Sequence, residues 1–202
     1  MTCDDQTIAF YDKEAPAYAK HYTDVAESER FKKFAGRIRK GGDVLDLGCG
    51  AGNAARAFHA MGFKVTAFDG SEGMLAQIRK ITEITTICSD FDGLDMVEAF
   101  DGIWANFCLQ HVPRAELPAV LDRIAKALRT DGWLLIGIHS GTETRRDNLG
   151  RLYCHHTEAD LTEALKKRGL RVHSVAFADS TGYDGTPFNG MTMVAQKSED
   201  TR

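Results

Sequence analysis

The chain has no apolar run approaching the ~20 residues that a membrane-spanning helix needs, although 43% of its 202 residues are hydrophobic. The apolar residues must therefore go to a core. Excess basic charge is missing too: lysine and arginine number 25 against 29 acids, a net charge of -4. That balance leaves no electrostatic footprint for DNA or RNA. The five cysteines, Cys3, Cys49, Cys88, Cys108 and Cys154, form no CxxC pair and no Cys/His cluster at zinc spacing. No metal site is expected, and a reducing, cytoplasmic setting is the default. The opening MTCDDQ is acidic and polar, unlike a signal peptide. Repeats and low-complexity tracts are absent, and the length suits one domain, 1–202.

What the chain does have is a glycine turn. Val44-Leu45-Asp46-Leu47-Gly48-Cys49-Gly50-Ala51-Gly52 is an apolar strand carrying an acid, followed by three alternate glycines. Glycine turns through positive φ and leaves no Cβ where a ligand must meet the main chain. A strand ending in such a turn and leading into a helix makes a nucleotide crevice at the carboxyl edge of a parallel sheet. The alanine-rich stretch 53–61 supplies the helix. A second strand follows and ends in another acid, Asp69. A lone GxG would say little, but this context points to a cofactor site.

Asp46 narrows the ligand. The phosphates of a dinucleotide would repel a carboxylate two residues before Gly48, whereas a ligand with a cationic amino-acid end suits it. Here the chain resembles the class I S-adenosylmethionine-dependent methyltransferases, whose first motif is written (D/E)xGxGxG. The resemblance runs from about Phe10 to Lys197. A second mark is Phe10-Tyr11-Asp12 with Ala15 and Tyr18, similar to the YDxxAxxY segment that lids small-molecule members. The resemblance implies S-adenosyl-L-methionine (SAM) as cofactor and S-adenosyl-L-homocysteine (SAH) as product. It implies an N-terminal helical lid over 1–40 and a Rossmann-like α/β core over 41–202. It also implies a doubly wound seven-stranded sheet of order 3-2-1-4-5-7-6, mostly parallel, with the last strand antiparallel.

The residue pattern by itself alternates strand and helix, which calls for a parallel sheet with helices on both faces. Helices are predicted at 6–22, 26–40, 53–61, from Ser71 to about 80, at 114–130 after Pro113, and at 158–168, where Thr157 and Asp160 form a capping box. Strands are predicted at 43–47, 64–68, 84–88, 100–106, 133–139, 170–177 and 190–196. The polar stretch 140–156 shows no periodicity. Residues 178–189 are too short and too rich in Gly and Pro for a helix, so the last two strands should be antiparallel.

Ligand-facing residues in such a sheet gather at the carboxyl ends of successive strands. Beside Asp46, the glycine turn offers Gly48, Cys49, Gly50 and, at the helix start, Asn53. Asp69, followed by Gly70, can accept both ribose hydroxyls. Met74 either lies on the adenine face or fills the core. Ser89, Asp90 and Phe91 follow the third strand; Asp90 can accept the adenine amino group while Phe91 packs on the ring. The resemblance places residues 105–107, with Asn106 and Phe107, beside the methionine half and His111 below it; His111 could equally be a packed, hydrogen-bonded histidine that shapes the turn before Pro113. Tyr11, Tyr18 and Tyr22 share a helical face. They either fence the sulfonium or dock the helix as an apolar stripe.

Methyl transfer is an in-line displacement at a carbon activated by positive sulfur. Aligning the reactants can supply ~7–11 kcal/mol of the barrier, so no fixed triad is expected. His111 and His139 are candidate bases, with His155 a third histidine that titrates near working pH. Tyr11, Arg145, Arg146, Arg151 and Tyr153 are candidate substrate residues. Arginine grips a carboxylate bidentately, though the charges in this stretch could equally pair among themselves. Phe188 and Asn189 are placed to close the pocket. Asn106 lacks the Pro-Pro-aromatic run of amino-methylating nucleic-acid enzymes, and there is no Pro-Cys dipeptide of the cytosine C5 type. A small-molecule acceptor is therefore expected, with no nucleic acid or membrane partner. Two alternatives stay open: a non-catalytic SAM-binding protein, and a nicotinamide-dependent oxidoreductase, which Asp46 and the C-terminal hairpin oppose.

Overall fold

The computed structural model describes residues 4–21 and 25–198. Cys3 and Tyr22 lie outside the described residues. The sheet is built on β1 (Asp43–Leu47), β2 (Lys64–Asp69), β3 (Thr85–Cys88), β4 (Phe100–Asn106), β5 (Leu128–His139), β8 (Leu170–Thr181) and β9 (Pro187–Lys197). Its order is β3-β2-β1-β4-β5-β9-β8. The first five strands are parallel, and β9 runs antiparallel to both β5 and β8. The order matches the expected one once a separate small hairpin, β6 (Thr144–Arg146) with β7 (Leu152–Cys154), is set aside.

Strands buried on both faces read as near-continuous apolar runs, and side-chain alternation assigns each face. Leu45, Leu47, Ile103, Ile136 and Ile138 pack against α5 (Leu117–Ala127) and α6 (Glu158–Lys166). Val44, Val65, Ala67, Trp104 and Leu135 pack against α2 (Glu29–Ala35) and α3 (Asn53–Ala60), with Leu75 of the short α4 (Glu72–Ala76). The interlocked rings of Phe31, Phe34, Phe58 and Trp104 fill that second core. Thr157 caps α6, accepting from the Asp160 amide at 3.1 Å, as predicted.

Several boundaries differ from expectation. The helix predicted at 26–40 is a short turn (Val25–Glu27) followed by α2, which stops at Ala35 with Gly36 as its C-cap. Ile38 nonetheless stays buried, because Gly102 makes room for it: a Cβ there would lie 2.3 Å from Ile38 Cδ1. The helix predicted at 114–130 is shorter, because Leu128 already pairs with Phe100 on the sheet. The helix expected to reach residue 80 ends at Ala76. The stretch without periodicity holds the β6–β7 hairpin, whose three-residue strands are too short to show alternation. The final hairpin is longer than predicted, pairing out to Thr181 and Pro187.

The N-terminal helix α1 (Asp5–His21) docks through its own motif. Asp12 Oδ1 accepts from Ser71 Oγ at 2.6 Å and from the Gly73 amide at 3.0 Å, at the start of α4. Gly73 allows the approach, since a Cβ would sit 2.6 Å from the Asp12 carbonyl oxygen. Ala15 packs on Ala51 and Met74. Among the described residues, no helix is long and apolar enough to cross a membrane.

Candidate active site

The glycine turn leaves β1 with Gly48, Gly50 and Gly52 at φ values of 64°, 52° and 81°. The amides of Gly48 and Cys49 both donate to the Phe68 carbonyl, at 2.8 and 3.0 Å. Asp69, at the end of β2, holds the far side. Its Oδ2 accepts from the Gly50 amide at 2.8 Å, and its Oδ1 from the Ser71 amide at 2.9 Å. Burial pushes the Asp69 carboxyl above its ordinary range against the pull of those amides. Gly48 has no room for a side chain, because a Cβ would fall 2.2 Å from Cys108 Cβ. At Gly50 a Cβ would meet nothing within 4 Å. Asp46 is 2% exposed, and its Oδ2 accepts from the Ala55 amide in the first turn of α3 at 2.9 Å. Burial raises its carboxyl to about 7; the amide opposes the shift and the Asp69 charge adds to it.

A cavity of about 450 Å³ opens beside this turn at the carboxyl edge of the sheet, within the usual range for a small-molecule site. Of the residues expected to meet a cofactor, Tyr18, Asp46, Gly48, Cys49, Gly50, Asn53, Asp69, Gly70, Met74, Ser89, Phe91, Asn106, Phe107 and His111 line it. Tyr11, His139, Arg151, Tyr153 and Phe188 do as well. Five expected residues stand elsewhere. Asp90 caps the turn after β3, accepting from the Asp92 amide at 3.1 Å. Arg146 makes a two-pronged ion pair with Asp4, at 2.6 and 2.8 Å, on the outer surface. Arg145 lies 5.8 Å from the Tyr153 ring centre and is not in the cavity wall. Asn189 donates across the hairpin to Asp179 at 2.9 Å. His155 also lies outside the wall.

One end of the cavity carries a hydrogen-bonded chain. His111 Nδ1 lies 2.6 Å from the Leu152 carbonyl oxygen, and its Nε2 3.0 Å from Tyr11 Oη. A carbonyl only accepts, so Nδ1 holds the hydrogen and Nε2 accepts from the Tyr11 hydroxyl. Burial pulls the His111 pKa down to about 4, partly offset by the Leu152 carbonyl, so the ring is neutral at pH 7. Arg151 Nη1 approaches Tyr11 Oη at 3.4 Å. Its guanidinium is paired with Asp147 at 2.6 Å, both side chains 2% exposed, and is surrounded by the rings of Phe10, Tyr11, Tyr153 and Tyr183. His139 stacks flat on Phe188, with centroids 3.8 Å apart, and its buried Nδ1 has no partner. Burial lowers its pKa to about 3.

Several wall residues escaped the sequence reading: Arg30 and Ser28 near α2, Trp104 in the aromatic core, Gln110, and Ser180, Thr181 and Tyr183 at the hairpin tip. Tyr183 meets Tyr18 at 5.0 Å between ring centres, so α1 and the hairpin tip close over the cavity together. An aromatic within a short Gly-rich connector was the one available signal for Tyr183.

The wall suits a ligand with an adenosyl end and an amino-acid end. Asp69 keeps acceptor capacity on both oxygens after its two amide bonds, the turn is open at Gly50, and the buried Asn106 Oδ1 and Gln110 Oε1 have no partner. A family profile described as a methyltransferase domain matches residues 18–175. The probable S-adenosyl-L-methionine-dependent methyltransferase TehB of Haemophilus influenzae is 26% identical over 135 residues, 64% of this chain and 47% of that protein. The (S)-coclaurine N-methyltransferase of Papaver somniferum is 31% identical over 110 residues, 50% of this chain and 30% of that protein. The chain thus spans about half the length, or less, of these curated relatives. The crystal structure of a Burkholderia thailandensis 1,6-didemethyltoxoflavin-N1-methyltransferase, with its substrate and S-adenosylhomocysteine bound, superposes with a TM-score of 0.77 at 22% identity. That match covers 96% of this chain and 88% of the other. The glycine turn, the strand order and the matched span agree: the chain belongs to the methyltransferase-domain family, with its class I Rossmann-like fold.

Proposed function

We propose that this chain transfers a methyl group from SAM to a small-molecule acceptor and releases SAH. The observation that carries the reading is the cavity at the carboxyl edge of β1, β2 and β4, walled by the Gly48-Cys49-Gly50 turn and its Asp69 brace. When bound, SAM supplies a methyl group on a positively charged sulfur, so the acceptor meets an already activated carbon. The protein's share is binding, alignment and proton handling. Asp69 accepts ribose hydroxyls, and Met74 and Phe91 flank the base. Buried Asp46, raised to about 7 in the ligand-free site, ionises more readily beside a cationic ligand.

The acceptor end is built from Tyr11, His111, His139, Tyr153 and Phe188. An acceptor proton passes to Tyr11 Oη as the Tyr11 proton moves to His111 Nε2; the Leu152 carbonyl then holds the imidazolium through Nδ1–H. The α1 roof and the hairpin tip keep water from the reacting atoms. A small acceptor agrees with the compounds named for relatives, (S)-coclaurine and 1,6-didemethyltoxoflavin. Calorimetric titration with SAM and SAH, with NADH as control, tests the reading. Micromolar binding of the adenosyl ligands alone supports it. Folded protein, free of carried-over ligand, that binds neither one would refute it. SAH release across a panel of amines, phenols and carboxylates then identifies the acceptor and separates turnover from binding alone.

A further inference from the structure

Aromatic rings follow one another without a break at the His111 end of the cavity. His111 lies 4.7 Å from Tyr153 between ring centres, Tyr153 4.9 Å from His139, His139 3.8 Å from Phe188, and Phe188 5.6 Å from Phe107. All of them line the cavity. Two carry polar atoms that the protein leaves unused. His139 is 5% exposed, its Nδ1 is buried without a partner, and its imidazole makes no hydrogen bond among the described residues. The Tyr153 hydroxyl, on a buried residue, makes none there either. A buried polar group without a partner is costly. Phe188 lies flat on His139, with 10° between the planes, so a partner for the imidazole must arrive at the ring edge.

The same end disfavours charge of either sign. Burial lowers the His139 pKa to about 3, and His155, His111, Arg145 and Arg151 add to the fall, so a cation is unwelcome at that ring. Burial pushes the Tyr153 hydroxyl well above its ordinary value, so an anion is unwelcome one ring away. Arg151 is already paired with Asp147 at 2.6 Å. Arg30, the other arginine of the wall, belongs to α2 and lies over Trp104 and Phe107. Asp46 and Asp69 stand at the glycine turn.

We propose that the acceptor is an uncharged, flat aromatic or heteroaromatic molecule, recognised by hydrogen bonds from its polar substituent to His139 and Tyr153. This rests on the methyltransferase reading and names the class of molecule that fills its acceptor end. A flat ring extends the array edge-to-face or offset, as its members already meet one another. A neutral imidazole offers one donor and one acceptor, and a phenol hydroxyl offers both, so a group such as an amide, which also carries both, satisfies the pair. His139 ends β5 and Tyr153 lies in β7, and only the fold sets them side by side.

The test uses benzamide, benzoate, benzamidinium and cyclohexanecarboxamide, which share one skeleton and differ in charge or flatness. Each is titrated calorimetrically into SAH-saturated wild type, His139→Phe and Tyr153→Phe. Both variants keep a ring in place, and melting temperature and SAH affinity, expected to match wild type at pH 7, control for folding. Benzamide should bind wild type in the millimolar range usual for so small a molecule. Benzoate and benzamidinium should bind about tenfold more weakly or worse, since either charge would be buried unpaired. Cyclohexanecarboxamide should also bind more weakly than benzamide. Each variant should weaken benzamide by about two- to tenfold, the share of one hydrogen bond. Should His139→Phe melt early, Tyr153→Phe, which loses a single oxygen, carries the comparison alone. A charged or saturated analogue that binds as tightly as benzamide would overturn the proposal. So would benzamide that ignores both substitutions or does not bind. If wild type does not bind SAH, the methyltransferase reading fails separately. Benzamide added to the unliganded protein then decides the pocket: dependence on His139 and Tyr153 supports it, and indifference overturns it.

Discussion

Replacing Gly50 with alanine separates the strain of the turn from its openness to ligand. Gly50 sits at φ 52°, where a Cβ meets no protein atom within 4 Å. The fold therefore pays only for the left-handed backbone, about 1–2 kcal/mol. For a chain of this size each kcal/mol moves the melting temperature by about 2–4 °C, so Gly50→Ala should melt about 2–8 °C lower and remain folded. The added methyl, meanwhile, stands in the space the cofactor would occupy. Overpacking of that kind costs about 1–3 kcal/mol, roughly a five- to 150-fold loss of SAH affinity. Gly48→Ala is the contrast. Its Cβ would lie 2.2 Å from Cys108 Cβ, so the strand end or the β4 turn must shift, and unfolding rather than weak binding should dominate. Thermal melts paired with SAH calorimetry check both variants. Gly50→Ala that melts lower as expected yet binds SAH like wild type would show that the ligand does not approach this turn.

Tyr11→Phe removes the hydroxyl that joins the cavity to His111 Nε2; if Tyr11 relays the acceptor proton, kcat should fall about 10²–10⁴-fold with SAH affinity unchanged, and an unaltered kcat removes the relay. Asp147→Ala leaves the Arg151 guanidinium buried without its carboxylate, so stability should fall by about 3–5 kcal/mol; a melt within 2 °C of wild type, against ~2–4 °C per kcal/mol, would contradict the pairing. The ligand-free protein should lose stability in mild acid. His111, His139 and His156 hold pKa values near 4, 3 and 4, below the unfolded value of 6.5, so the unfolded chain takes protons first. Their stabilisation is complete above about pH 6.5 and shrinks as pH falls toward 4; by pH 5 it has dropped by about 2 kcal/mol per imidazole. Asp46, raised to about 7, and Asp69, also raised by burial, pull the other way, two carboxyls against these three imidazoles and His155, which burial lowers too. Melting temperature should therefore drop from pH 7 to pH 5, less steeply in His139→Phe; a flat or rising profile refutes the assignment of neutral buried rings.

What could be read in advance was whatever depends on neighbours in sequence. The Gly48–Gly52 turn, the acid ending β2, and the Thr157 cap are local, and each stands where its chemistry requires. The antiparallel last strand followed from the length of a connector. What could not be read was the choice among charged residues of one type. Arg145, Arg146, Arg151 and Arg30 look alike in a string, and only tertiary pairing tells them apart: one lies against the face of a tyrosine, one is tied to Asp4, one to Asp147 and one lines the cavity, bonded to Thr192. Helix ends were misjudged for the same reason. Leu128 has good helical propensity, but a partner on β4 takes it into the sheet.

The motif at Tyr11-Asp12 illustrates why local and distant information have to be combined. Helical periodicity placed Tyr11 and Tyr18 on a face that either touches ligand or docks the helix; in the structure both pack against the small cluster of Ala15, Ala51 and Met74 and both line the cavity. Asp12 fastens α1 to Ser71, whose amide in turn donates to Asp69, which braces Gly50. Tyr11, the adjacent residue, reaches the other way to His111 and so to the Leu152 carbonyl. Two consecutive side chains on one helix thus connect the glycine turn to the His111 end of the cavity. A hydrogen-bonded path of this kind gives α1 a physical reason to hold the two halves in a fixed relation, since neither contact can relax without moving the helix that makes the other.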